Sequence, residues 1–218
     1  MRQRRAGAPG TPGTAERPGR VRVPRSGAAT DPGRAEGGQW PWPRIQIARL
    51  IHKLTELGAA VIVLDALFKE PDNASPASLL PLWFPESEFS ALRTKAKQLP
   101  DHDRVLAQAI AEGRVVVGFA LTNEFKIAEP LVKGGFAFPD GDPTPAIVPH
   151  KGAIVSLPSL TNAASGNGVV TIPGDPDEVI RRVPIVFRLR ETLYPSVVAE
   201  MLRVAQGKST YFVLASAA

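Results

Sequence analysis

Two short runs in this chain, AVIVL at 60–64 and VVVGFAL at 115–121, are wholly apolar and rich in β-branched residues. An uninterrupted run of this kind is the signature of a strand covered on both faces. Each is preceded by a segment with helical spacing that stops at a glycine. Ile47, Leu50, Ile51, Leu54 and Leu57 recur every three or four residues, Pro43 suits the first turn, and Gly58 is placed to end the helix in a left-handed conformation. In the second unit Asp101 or Asp103 caps a helix running to about Glu112, with Val105, Leu106, Ala109 and Ile110 on one side and Gly113 at its end. A helix feeding a buried strand through a short loop is half of an α/β repeat, and this chain has two.

The remaining segments extend that frame. Residues 69–100 and 122–157 are broken by proline and glycine and read as two long loops, the first carrying the apolar patch LLPLWFPESEF. A short helix is expected at 158–165 and a strand at GNGVVTI. The turn PGDPDE then leads to a return strand over 179–189, antiparallel to GNGVVTI, with Pro184 confining it to a sheet edge or bulge. YPSVVAEMLRVAQG closes with a helix starting at Pro195 or Ser196, its inner side formed by Val197, Val198, Met201, Leu202 and Ala205. STYFVL begins one more element. The expected fold class is α/β: a mixed sheet with packed helices and a C-terminal antiparallel hairpin plus helix.

Charge separates the body from its N-terminal tail. Of the net +5, all is accounted for by residues 1–37, which hold eight arginines against Glu16, Asp31 and Glu36; the rest balances at 18 basic and 18 acidic residues. The tail has seven glycines, five prolines and no aromatic residue, so it is expected to be a disordered Arg/Gly/Pro extension. Its arginines could meet phosphates or lipid, but a solvated extension is the simpler expectation, and no nucleic-acid partner is expected. There is no cysteine, and His52, His102 and His150 are far apart in sequence, which argues against thiolate or histidine metal sites. No apolar run approaches the ~20 residues that cross a bilayer, and no signal peptide is visible.

Few residues stand out as site candidates. Trp40 and Trp42 alternate with Pro41 and Pro43, leading stiffly into the Arg44 helix; they either pack under the sheet or stack on a ligand. Asp65 falls at the carboxyl end of a buried strand, where open α/β sheets bind ligands, or it caps a loop or pairs with an arginine. Arg181 and Arg182 would point to opposite faces of their strand, so one is expected to turn inward. That arginine would either lock the hairpin to the sheet through Asp65, Asp175 or Asp177, or hold an anionic ligand. Asp175, Asp177 and Glu178 lack calcium-loop spacing and fit a plain turn. No catalytic set and no cofactor motif is visible; an aspartate-dependent hydrolase using Asp65 is the enzymatic alternative.

Three ordered stretches, GQWPWPRIQIARLIHKLTELGAAVIVLDALFKEPD, DRVLAQAI followed by VVVGF, and GNGVVTIPGDPDEVIRRVPIVFRLRETLYPSVVAEMLRVA, resemble the type-two CHASE domain over about residues 37–207. That resemblance implies an extracytoplasmic sensory domain of bacterial receptors, at the inner membrane, whose output is a cyclase or kinase elsewhere in the polypeptide. It places a sensory domain at 38–207 and the start of a following element at 208–218, with membrane helices and output domain outside this chain, which would make it a fragment. It further implies a small-molecule or protein cue, a possible homodimer, and no catalysis by this domain. With the residue readings above, it makes Trp42, Arg44, Asp65, Arg181 and Arg182 the candidate ligand-binding set.

Overall fold

The computed structural model describes residues 41–84, 92, 95, 98–125, 128–172, 177 and 180–214. All the elements below belong to one unit, Gln39–Ala218. Helix α1 (Arg44–Glu56) starts after Pro43 and ends in a Schellman turn: Gly58 adopts φ +79°, its N–H donates to Thr55 O, and the Ala59 N–H donates to Leu54 O. Strand β1 (Ile62–Leu64) follows. Helix α2 (Pro76–Trp83) precedes α3 (His102–Glu112), where Asp101 is the cap and accepts from the N–H groups of Asp103 and Arg104. Strand β2 (Val115–Thr122) is the longest among the described residues.

β2 is the centre of the main sheet. Its first half pairs in parallel with β1, Val63 opposite Val116, and in parallel with β6 (Gly166–Val169), Gly118 opposite Gly168. Its second half pairs antiparallel with β5 (Gly152–Ile154). One core lies between this sheet and α1, α3 and α4 (Pro158–Ala163); Ile51, Leu106, Ile110, Val115 and Leu160 are its most buried members. A second core holds Phe119, Leu121, Val169, Phe187 and Tyr194, with the Phe119 and Tyr194 rings edge-to-face at 5.4 Å.

Helix α5 (Val197–Ala205), capped by Ser196, packs on β6. It comes close because Gly166 and Gly168, two residues apart, share one face of the strand. A Cβ on Gly168 would stand 2.5 Å from Val197 Cα, so the GNG motif is a landing strip for a helix backbone. The buried face of α5 is Ala199, Glu200, Arg203 and Val204, whereas Val198 and Leu202 are about half exposed. This corrects the expectation that Val198 and Leu202 lie inside. Glu200 and Arg203 can be buried because they satisfy each other: Glu200 Oε1 accepts from Arg203 Nη2 at 2.7 Å and Oε2 from Nε at 2.8 Å. The remaining guanidinium donors reach Lys208 O and Ser165 O, and the Tyr211 hydroxyl donates to Glu200. Burial, followed by the Glu200 contact, holds the Tyr211 phenol well above the usual tyrosine range. Tyr211 belongs to β9 (Thr210–Phe212), the element that STYFVL begins; it pairs in parallel with β3 (Gly135–Ala137).

Three other expectations are revised. The 69–100 segment contains α2, whose apolar residues Leu79, Leu80, Leu82 and Trp83 run together and are interrupted by Pro81, so no helical spacing betrays it. The 122–157 segment contains β3, β4 (Pro149–His150) and β5; each is two or three residues long and finds its partner far away in sequence. The return strand is only β7 (Val186–Leu189). It pairs antiparallel with β8 (Thr192–Pro195) and in parallel with β4, rather than with GNGVVTI. Arg190 and Glu191 make the reversal, with Arg190 at φ +53°. Residues 180–185 lie outside any strand, consistent with Pro184, which cannot donate to a ladder.

Candidate ligand cleft

β1 ends at Leu64 and delivers Asp65, exposed, to the rim of a cleft of about 610 Å³. The floor and one wall are residues 65–74; the opposite wall is Pro41 to Arg44. The wall is positioned by Pro43, whose extended backbone (φ −53°, ψ 141°) turns the chain sharply into α1. Trp42 is half-buried and packs against the core of α1 and α3 while presenting the rest of its ring to the cleft.

Beneath the cleft is a polar hub centred on Asp72, which is 6% exposed. Its Oδ2 accepts from the Arg44 N–H at 3.0 Å and lies 2.9 Å from His102 Nδ1; its Oδ1 accepts from the Ala74 N–H at 3.1 Å. The Asp72 N–H donates to Asp103 Oδ2 at 2.8 Å, and Asp103 Oδ1 stands 2.7 Å from Arg44 Nε as an ion pair. Arg44 Nη2 donates to Glu70 O, and the guanidinium lies 4.7 Å over the Phe68 ring. Burial pushes the Asp72 carboxyl up, but the Arg44 and Ala74 amides, His102 and the Arg44 charge together outweigh it and hold the group below the ordinary carboxylate range. On the far side the Phe68 N–H donates to Ser156 Oγ at 3.0 Å and the Leu157 N–H to Phe68 O at 2.8 Å. The 65–75 loop is therefore pinned to the N-termini of α1, α3 and α4 at once.

Three of the five candidate residues, Trp42, Arg44 and Asp65, meet in this cleft. Arg44 is already engaged by Asp103, Glu70 and Phe68, so it shapes the wall; a ligand would share a paired group there. Arg181 and Arg182 lie elsewhere, exposed. Arg181 makes a bidentate contact with Asp177, at 2.9 and 2.8 Å, but the two side chains are 56% and 54% exposed. Asp177 is one of the expected partners and the contact is bidentate as expected, but for Arg181 it is a surface pair and not an inward lock onto the sheet. The alternation argument failed because these residues are not in a strand. Trp40, Asp175 and Glu178 lie outside the described residues.

The sequence reading missed Asp72, His102 and Asp103 as a unit, and Glu200, Arg203 and Tyr211 as another. KEPD and DHD were visible as acidic clusters beside proline and a helix start, yet nothing in the sequence joins residues thirty apart. Among the described residues no group of three or more His, Cys, Asp or Glu side chains is placed to hold a metal ion.

A model of the CHASE2 domain matches residues 28–215. The chain belongs to the CHASE2 family. That match takes in both wall and floor of the cleft, the GNG strand, α5 and β9. CHASE2 is an extracytoplasmic sensory family, not a catalytic one. Comparison with curated proteins and with solved structures returned no match. Within this CHASE2 domain, no helix of the described residues is long and apolar enough to cross a membrane. The cleft has the volume of small-molecule sites, ~300–1,000 Å³, and sits where open α/β sheets place them.

Proposed function

We propose that this CHASE2 domain is the sensory head of a bacterial receptor at the extracytoplasmic face of the inner membrane, and that a small molecule binds in the cleft between Trp42 and the 65–74 loop. The family match over residues 28–215 carries the reading. The cleft supports it: an aromatic wall, an exposed carboxylate at Asp65 and a rigid floor on the Asp72 hub. Membrane helices and a cyclase or kinase output would be supplied by other parts of a homodimeric receptor. A ligand that prefers one arrangement of the 65–75 loop shifts its population by no more than its difference in affinity for the two. Because that loop is tied to three helix N-termini, its rearrangement would reach the whole helical layer.

The test is a chimera in which the chain is placed between inner-membrane helices and a cytoplasmic adenylate cyclase reporter. Cyclic AMP is measured while fractionated culture medium is supplied. A component that changes output in the native chimera should have no effect once Trp42→Ala and Asp65→Asn are combined, at unchanged chimera abundance. Output that is flat across all fractions, or equally responsive in the double variant, refutes the proposal.

A further inference from the structure

Helix α5 carries its side chains the wrong way round for a helix facing water. Its two charged residues, Glu200 and Arg203, are buried, whereas Val198 and Leu202, one turn apart on the outer face, are about half exposed. Beside that face runs segment 183–185, where Val183 and Ile185 are exposed by half or more. The segment is fastened where α5 begins, the Ser196 N–H donating to Ile185 O at 2.8 Å. Helix and segment border a groove of about 490 Å³ that shares no lining residue with the Trp42 and Asp65 cleft.

The far end of the groove is polar. There α5 stops in a second Schellman turn: Gly207, at φ +63°, donates its N–H to Val204 O, and the Lys208 N–H donates to Arg203 O at 3.0 Å. Lys208 O in turn accepts from Arg203 Nη1 at 2.7 Å. Both backbone groups of Lys208 are thereby held, so its exposed side chain leaves from a fixed point on the groove's wall. The described lining includes no carboxylate, and every nitrogen of its other cation, Arg203, is already bonded within the protein. Lys208 makes no ion pair among the described residues, so its ammonium is the one unbalanced charge of that lining.

We propose that this groove binds the anion of a medium-chain fatty acid. The aliphatic chain lies along Val198 and Leu202 against Val183, Pro184 and Ile185, whose side chains offer nothing to a polar ligand, and the carboxylate meets Lys208. From Val198 to the Gln206 cap the helix runs about 12 Å, the extended length of roughly ten carbons. Lys208 also offsets the negative end of the α5 dipole, which alone would discourage an anion there. The proposal concerns a different site from the cleft assigned above, and the failure of either leaves the other standing.

Isothermal titration calorimetry on the full chain tests it, with hexanoate, octanoate and decanoate below their micellar concentrations and decyltrimethylammonium as a cation of equal chain length. Decanoate is expected to bind, each added methylene tightening the series by roughly two- to fourfold. The cation is expected to bind roughly fivefold more weakly or worse. Lys208→Glu, at an exposed position, should weaken decanoate by roughly fivefold or more and remove the preference for the anion. Leu202→Glu should weaken both probes, with circular dichroism unchanged; if that variant does not fold, Lys208→Glu decides alone. No decanoate binding, a flat chain-length series, equal binding of the cation, or binding undiminished in Lys208→Glu overturns the proposal. So does a dimer in sedimentation velocity that Leu202→Glu converts to monomer, since a second copy would then fill the groove.

Discussion

Removing the Glu200 carboxylate tests the least expected feature of the packing, a buried ion pair on the inner face of a helix. Glu200 is fully buried and Arg203 is 8% exposed. In Glu200→Gln the shape is kept, but the guanidinium keeps its charge with only neutral carbonyls and an amide around it, and the Tyr211 hydroxyl loses its charged acceptor. Breaking a buried pair from one side typically costs about 3–5 kcal/mol, a large part of the ~5–15 kcal/mol that holds an ordinary domain together. With a urea slope of ~2 kcal/mol/M, the unfolding midpoint should fall by roughly 2 M. Arg203→Met should cost a similar amount. The double variant Glu200→Gln/Arg203→Met should cost far less than the sum of the two singles, leaving a coupling energy of about 2–4 kcal/mol, because no charge is then stranded. Hydrogen exchange offers a second readout: the β9 amides should lose protection before those of β2 in Glu200→Gln, since Tyr211 fastens β9 to α5 through Glu200. Single costs that add in the double variant to within ~0.5 kcal/mol would refute the reasoning.

Gly168→Ala places a Cβ 2.5 Å from Val197 Cα, a backbone atom that cannot swing aside, and should cost about 3 kcal/mol in urea unfolding, while Gly135→Ala, whose nearest neighbour is at 3.8 Å, should leave the midpoint nearly unchanged. Asp72 has a folded pKa below its unfolded value, so its contribution is fully present above the unfolded pKa of ~3.9 and is lost as pH falls through the lower, folded value. Asp72→Asn should therefore destabilise at neutral pH by about 1–3 kcal/mol and flatten the acid limb of a stability–pH curve; an unchanged limb would count against the hub. Arg181→Ala should change stability by less than about 1 kcal/mol, because its partner is an exposed Asp177; a loss of several kcal/mol would restore the inward lock.

The α/β frame was legible because its signals are local. Helical spacing from Ile47 to Leu54, the Gly58 stop, the Asp101 cap and the apolar runs around Ile62 and Val116 are each fixed by a window of a dozen residues. The cleft was half legible. The strand-end position pointed to Asp65, and the Trp-Pro-Trp-Pro-Arg stretch to Trp42 and Arg44. The hub beneath it was hidden because Arg44, Asp72 and Asp103 are separated by about thirty residues at each step.

The sequence by itself determined helices α1, α3, α4 and α5 and the central strands β1 and β2, since backbone preference and apolar spacing act over a turn or two. Only the tertiary structure decided which charges go inside. A carboxylate such as Glu200 is read as solvent-facing until its guanidinium, its phenol and the two glycines that let its helix settle on β6 are brought together, and the pairing that offsets the loss of water exists only in the assembled fold.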